Sequence, residues 1–296
     1  MASRESTETI APPPRSHTAG HVFTIVLGLL GWAVVLAFPA LGILPHDPPA
    51  GILSVTMFVL VILGTRALAF RLVEGSVLSL DSAYYVAAAL CVGSLEAGRL
   101  VALALTLDAS ARLALARRRG QFSPDGPFAE IAYVIYFGGM SGGLLVACGV
   151  AFGADHIVGH LVAPSEVAWR VVAVAGSLLV SHYAIQGARL RLLGQGWGAY
   201  LRQLAVPGLI AEASLMPIGV VLVLLYDPEQ PLGFVLLSLT YLLINFVFAR
   251  LSRASHELEG RVHELEILNV TARRLSSSLQ LEELVDAVAR ETTKAI

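Results

Sequence analysis

The sequence predicts an all-α fold: a polytopic membrane helical bundle of about eight spans, with seven as the competing count, continuing into a cytoplasmic coiled-coil helix. Three observations predict it. The 296 residues are 56% hydrophobic and only 14% charged, with a mean hydropathy of +0.72, whereas a soluble domain is about 25% charged. Apolar segments recur near 21–44, 51–71, 82–95, 98–116, 128–153, 167–188, 204–226 and 231–250, most of them near the ~20 residues that a bilayer core requires. The arginines, finally, fall in alternate connections.

That alternation gives an orientation, because Lys and Arg accumulate in cytoplasmic loops. With the N-terminus inside, the inner connections hold Arg66 and Arg71, then Arg112 and Arg117–Arg119, then Arg189, Arg191 and Arg202, then Arg250 and Arg253. The outer connections Leu44–Ala50, Ala154–Glu166 and Tyr226–Pro231 contain no Lys or Arg. Arg99 and Arg170 are the exceptions. Both termini are therefore expected in the cytoplasm of a bacterial inner membrane. The short outer loops leave no periplasmic domain to catch a ligand, so a stimulus is read within the bilayer, at its surface or through a partner.

Residues 1–20 are rich in Ser, Thr and Pro and read as a disordered cytoplasmic arm. The run beginning at Val22 is longer than a signal-peptide core and reads as an uncleaved first span. Cys91 and Cys148 lie inside apolar runs and read as small core residues. The third segment is short, and Glu96-Ala97-Gly98 separates it from the fourth, so the pair is a tight hairpin or a re-entrant element. Glu96 and Arg99 are spaced to pair at this break. Gly138, Gly139, Gly142 and Gly143 mark close helix packing or a sliding contact.

Ionisable and polar residues at membrane depth call for a partner or a purpose. Asp108, His182, Tyr183, Gln186 and Glu212 all fall in the inner halves of their spans. Two readings stand: interhelical hydrogen bonds that hold the bundle, or a ligand- or proton-sensing pocket with His182 as the titrating group. His156 and His160 have i, i+4 spacing in an outer loop, with Asp155 beside them. They are weak metal candidates, and no metal or other cofactor is expected.

Past the last span comes a coiled-coil linker, 251–276. Leu251, Leu258 and Leu265 recur every seven residues, with Val262 between them and Asn269 at a core-type position. Leu258, Val262, Leu265 and Asn269 are the expected transmission residues of a homodimer, although an amphipathic helix packed on its own domain fits the same pattern. Ser276-Ser277-Ser278 then interrupts, and 277–296 begins a second amphipathic helix with Leu281, Leu284, Val285 and Val288 on one face.

The stretch LNVTARRLSSSLQLEELVDAVAR, Leu268 to Arg290, resembles the entry to a bacterial GAF domain: a linker helix, a Ser-rich turn and a "LEELV" helix. Gly75 to Arg118 resembles, more loosely, the multi-span sensor regions that precede GAF, histidine kinase, cyclase or phosphodiesterase modules. The resemblance implies a sensory input region, residues 21–250, in a two-component or related signalling protein, with its output chemistry elsewhere. The chain itself carries no P-loop, dinucleotide fingerprint, HExxH or nucleophile elbow and reads as no enzyme. His256 and His263 are followed by Glu, as phosphoacceptors are, but they stand beside the membrane and ahead of the GAF-like entry. No basic stripe with interleaved aromatics points to nucleic acid; the expected partners are lipid and a second copy. The alternatives are a small proton- or solute-coupled transporter and a passive anchor.

Overall fold

A computed structural model describes residues 18–42, 51–68, 70–73, 76–78, 81–120, 126–154, 162–192, 196–227 and 229–294. The N-terminal arm expected at 1–20 lies almost wholly outside them, as do Asp155, His156 and His160. The described chain is predominantly helical, and each apolar segment holds a helix. In order these are α1 (Thr18–Trp32) with a short extension α2 (Phe38–Ala40), α3 (Ile52–Ala67), α4 (Ser82–Val92), α5 (Ser94–Arg118) and α6 (Gly126–Ala151), followed by α7 (Pro164–Leu192), the single turn α8 (Trp197–Tyr200), α9 (Val206–Ala213), α10 (Met216–Leu225) and α11 (Leu232–Lys294). Five helical stretches are long and apolar enough to cross a membrane: Ala19–Ala40, Gly126–Ala151, Pro164–Leu192, Val206–Leu225 and Leu232–Arg273. The chain divides into two units, Met1–Phe246 and Val247–Ile296.

The first unit is built around α4. Its 11 residues rise only about 16 Å, half of a bilayer core, and all but Tyr85 are buried. Its small residues, including Ala87, Ala88, Ala89 and Cys91, are fully enclosed. Tyr84 packs on Tyr241 of α11 with ring centroids 5.3 Å apart. Near the first turn of α3, Phe58 stacks edge-on to Phe234 at 5.1 Å and tilts against Tyr226. Tyr226 donates to Ser54 Oγ at 2.6 Å.

The break between α4 and α5 falls earlier than Glu96–Gly98. It sits at Gly93, whose φ of 90° and ψ of 152° suit glycine alone. Glu96 is instead inside the first turn of α5 and pairs with Arg99 Nη1 at 2.5 Å. A second departure from an all-helical chain is a short hairpin between α3 and α4, β1 (Phe70–Val73) with β2 (Ser76–Leu78), antiparallel with Phe70 opposite Leu78. The apolar run at 51–71 thus ends as helix at Ala67 and turns into strand.

Helix α6 is clasped on two faces through glycines. A Cβ on Gly139 would strike Gly28 O of α1, and one on Gly31 would strike Gly139 O. On the other face, a Cβ on Gly142 would lie 2.5 Å from Gly98 O of α5. Backbones approach this closely only where both helices lack side chains.

Proline sets the irregular turns. Ala33–Ala37 and Leu201–Ala205 are π-helical, and each is followed by a proline, Pro39 or Pro207. Proline has no N–H to give to the preceding turn, so the ladder widens locally. The seventh apolar segment is also interrupted. α9 ends at Ala213, Ser214 and Leu215 form a turn, and Pro217 opens α10.

The second unit is a single helical stretch, the C-terminal part of α11. Helix continues through Ser276–Ser278 to Lys294, which corrects the expected interruption there. Serine costs only ~0.5 kcal/mol per helical position relative to Ala, and the leucine-rich flanks carry the helix across. Leu251, Leu258, Val262, Leu265 and Leu268 are all exposed, each at more than 60%. Ile267 and Val270 extend the apolar surface beyond that stripe.

Candidate functional site

The polar residues of the first unit gather where α3 ends and α4 begins. Asp81 occupies the N-cap position of α4, yet its carboxylate does not cap the helix. It turns to Arg66 at the end of α3, 3.5 Å away, and accepts the Tyr85 hydroxyl. Arg66 also meets Asp108 of α5, Nε to Oδ2 at 3.2 Å. Its guanidinium lies over the Phe137 ring of α6 at 4.6 Å from the centroid. Arg112, one turn beyond Asp108, gives both oxygens of that carboxylate a bond through Nε, at 2.9 and 3.0 Å, and reaches the Arg66 carbonyl. One arginine therefore ties α3, α4, α5 and α6 together. Asp81 and Asp108 are largely withdrawn from solvent, and Arg112 is half exposed.

A second set lies across α7 and α9. Tyr183 donates to Glu212 Oε1 at 2.7 Å. Tyr200 donates to the Tyr183 carbonyl, also at 2.7 Å; burial pushes the Tyr200 phenol up to about 12, so it remains a donor at neutral pH. His182 stands edge-on to Tyr183 at 5.6 Å between centroids. Glu212 lies at the end of α9, where its own carbonyl receives the Leu215 amide while the Ser214 amide closes on the Ile210 carbonyl. Asp81 and Arg66 both act on Glu212 through space, which joins the two sets. Ser82, the first residue of α4, is buried beside the Glu212 carboxyl.

Of the five residues singled out from the sequence, Asp108, Tyr183 and Glu212 are thus hydrogen-bonded members of this assembly. His182 is adjacent and feels both Asp81 and Arg66. Gln186 belongs elsewhere: it accepts from Tyr136 at 3.2 Å, beside Arg189. Arg189 bonds Thr24 at 3.0 Å and lies over the Tyr133 and Tyr136 rings. The pattern of apolar runs does not reveal Arg66, Asp81, Ser82 or Tyr85. Each stands at the end of a run, where a polar residue reads as interface. The signal that could have found Asp81 is its position immediately ahead of a short, wholly apolar helix.

Leu258, Val262, Leu265 and Asn269 lie on one exposed face of α11. Their spacing places them within about a quarter turn of one another. Among the described residues, no group of three or more His, Cys, Asp or Glu is placed to hold a metal ion.

Comparison with known proteins gives no match to any family model, curated protein or solved structure. The functional reading therefore rests on the residues alone.

Proposed function

We propose that this chain is the membrane-embedded sensory input module of a bacterial signalling protein. A stimulus acts on the buried polar assembly. Its effect passes through α11, whose exposed heptad face pairs with that of a second copy, to an output domain of GAF or related type. Both ends of the membrane region face the cytoplasm of the inner membrane in this reading. The observation that carries it is the continuity of α11. The same helix that contributes Phe234 and Tyr241 to the core runs on to Lys294 and presents Leu258, Val262 and Leu265 to the outside. A soluble helix that leaves so much leucine uncovered needs a partner, and heptad spacing suits another copy of itself. Coupling then requires two arrangements of the membrane helices that the stimulus distinguishes.

Cysteine cross-linking in membranes tests this. Leu258→Cys should give a covalent dimer, and Ile267→Cys, about half a turn round the helix, should give far less. A stimulus that acts through α11 changes the ratio of the two. Equal, low yields at both positions would remove the coiled-coil output and with it the sensor.

A second reading, a proton- or solute-coupled transporter, draws support from the interrupted segment. Transporters bind their ions where a membrane helix breaks, and the Ser214–Leu215 turn breaks one next to Glu212. Solute flux into vesicles containing the purified chain separates the two readings.

A further inference from the structure

Arg189 is a cation without a counter-ion. The other arginines drawn partly into the first unit, Arg66, Arg99 and Arg170, each pair with a carboxylate. Arg189, half-buried in the last turn of α7, has no such partner among the described residues. Its Nε donates to Thr24 of α1 at 3.0 Å, and the Thr24 hydroxyl is itself committed to the Gly20 carbonyl at 2.7 Å. Its Cζ lies 5.3 Å from the ring centroid of Tyr136 and 5.9 Å from that of Tyr133, both in α6. The Tyr136 hydroxyl donates to Gln186. Every group that holds Arg189 is therefore neutral. A guanidinium has five N–H donors, and the described protein occupies one of them. The Nη groups are not sealed inside the bundle, so they are open to a ligand.

The depth of the site indicates which ligand. α7 has 29 residues and rises ~43 Å, the thickness of a bilayer with its headgroup layers. Arg189 lies three residues from its end, about 16 Å from its middle, close to the ~15 Å at which hydrocarbon gives way to headgroups. Thr24 and Tyr133 stand early in α1 and α6, so the three residues share one rim of the bundle. Tyr133 is 43% exposed and Trp197, whose ring lies against Gly187 of α7, is 42% exposed. Half-exposed Tyr and Trp mark the headgroup level, and a basic pocket between helices at that level suits a lipid headgroup. The planar fork of a guanidinium matches two oxygens of a phosphate.

We propose that Arg189, braced by Thr24, Tyr133 and Tyr136, binds the phosphate of an anionic phospholipid at the rim formed by α1, α6 and α7. The Nη groups take two phosphate oxygens, and the Nε bond to Thr24 fixes the plane of the fork. A choline lipid brings its own cation and leaves Arg189 uncompensated; a lipid of net negative charge supplies the missing charge. The site goes beyond the sensor reading and does not depend on it, since a transporter or an anchor can carry the same site.

The test is native mass spectrometry of the full chain in detergent, titrated with phosphatidylglycerol or with phosphatidylcholine of the same acyl chains. The wild type retains one phosphatidylglycerol, roughly five-fold or more tighter than phosphatidylcholine. Arg189→Gln, which keeps a donor and removes the charge, brings the two lipids level. Arg189→Lys, which keeps the charge and loses the fork, restores part of the preference. Arg118→Gln with Arg119→Gln removes two exposed cations at the end of α5 and leaves the preference intact. Thr24→Val keeps the guanidinium and removes its brace. It weakens phosphatidylglycerol alone, and so tests the site even where Arg189→Gln does not fold. Inorganic phosphate in large excess does not displace the lipid.

Equal retention of the two lipids by the wild type overturns the proposal. So does a preference that survives Arg189→Gln, or one that disappears with Arg118 and Arg119. Displacement by inorganic phosphate overturns the lipid as the ligand, because the site then takes the free anion. Cross-linking at Leu258→Cys is a separate measurement, so loss of the lipid site and loss of signalling through α11 are told apart.

Discussion

Arg66 and Asp108 are 42 residues apart in the chain and 3.2 Å apart in space. That contact fixes the end of α3 against the middle of α5. Because Arg66 also holds Asp81 at the start of α4, removing its side chain leaves two enclosed carboxylates without their shared cation. Breaking a buried pair from one side costs about 3–5 kcal/mol. Arg66→Ala should therefore lower the thermal midpoint sharply. Arg66→Ala with Asp108→Asn should cost less than the sum of the two single changes, since either change alone already removes the contact between them. A cycle of unfolding measurements in detergent gives the coupling, expected at ~1–3 kcal/mol. Additive effects would mean that the contact contributes little to the fold.

The Tyr183–Glu212 bond makes a narrower prediction. Tyr183→Phe keeps the ring and removes the donor, leaving a carboxylate oxygen of Glu212 without its partner. The cost of a stranded acceptor is about 1–3 kcal/mol. Tyr200→Phe removes a donor to a carbonyl that belongs to a helix, so its effect should be smaller, ~1 kcal/mol or less. The order of the two Tm losses checks the assignment. A larger loss in Tyr200→Phe would reverse it.

Much of this framework is legible in the residues, and the parts that are not share a cause. The apolar segments fall on helices because bilayer length and composition constrain a spanning helix more tightly than packing constrains a soluble one. Asp108, Tyr183 and Glu212 stand out because polar groups are conspicuous inside such runs. Arg66 and Asp81 stand at the edges of runs, where position along the chain does not distinguish a loop charge from one folded inward. The pairing of β1 with β2 lies between them in the chain, and the fold brings Arg66 and Asp81 together. The break at Gly93 reads a few residues too late for a similar reason. Glu96 and Arg99 look like a loop by charge, but their mutual pair lets both remain on the first turns of α5. The interruption at Ser214–Leu215 has a signal in Pro217, masked by the high hydropathy on either side.

The clasp around α6 predicts a sharp contrast among glycines. Gly31→Ala puts a methyl group into the Gly139 carbonyl, backbone against backbone, which no rotamer relieves. Separation of α1 from α6 follows, at a cost in the range of core overpacking, about 1–3 kcal/mol. Gly176, in α7, has nothing within 4 Å of its would-be Cβ. Gly176→Ala should therefore be neutral or stabilise by up to ~1 kcal/mol, through helix propensity alone. Thermal unfolding of the two variants side by side checks the packing. Similar behaviour of both would place the α1–α6 contact elsewhere.

Gly260 tests α11 itself. It lies in mid-helix, and a Cβ placed there would meet nothing within 4 Å. It therefore contributes no packing and weakens the helix by ~1 kcal/mol relative to Ala. Gly260→Ala should stiffen the segment between the membrane helices and Leu265. Gly260→Pro should interrupt it, at about 3 kcal/mol, without touching any residue of the core. If α11 transmits as one helix, the alanine variant keeps or raises cross-linking at Leu265→Cys and keeps its response to a stimulus. The proline variant can still dimerise beyond the break, but its cross-linking no longer follows the state of the membrane region. That uncoupling separates transmission from assembly, because loss of dimer and loss of response are read in the same experiment. A proline variant that still responds would show that the signal bypasses the helical backbone at Gly260.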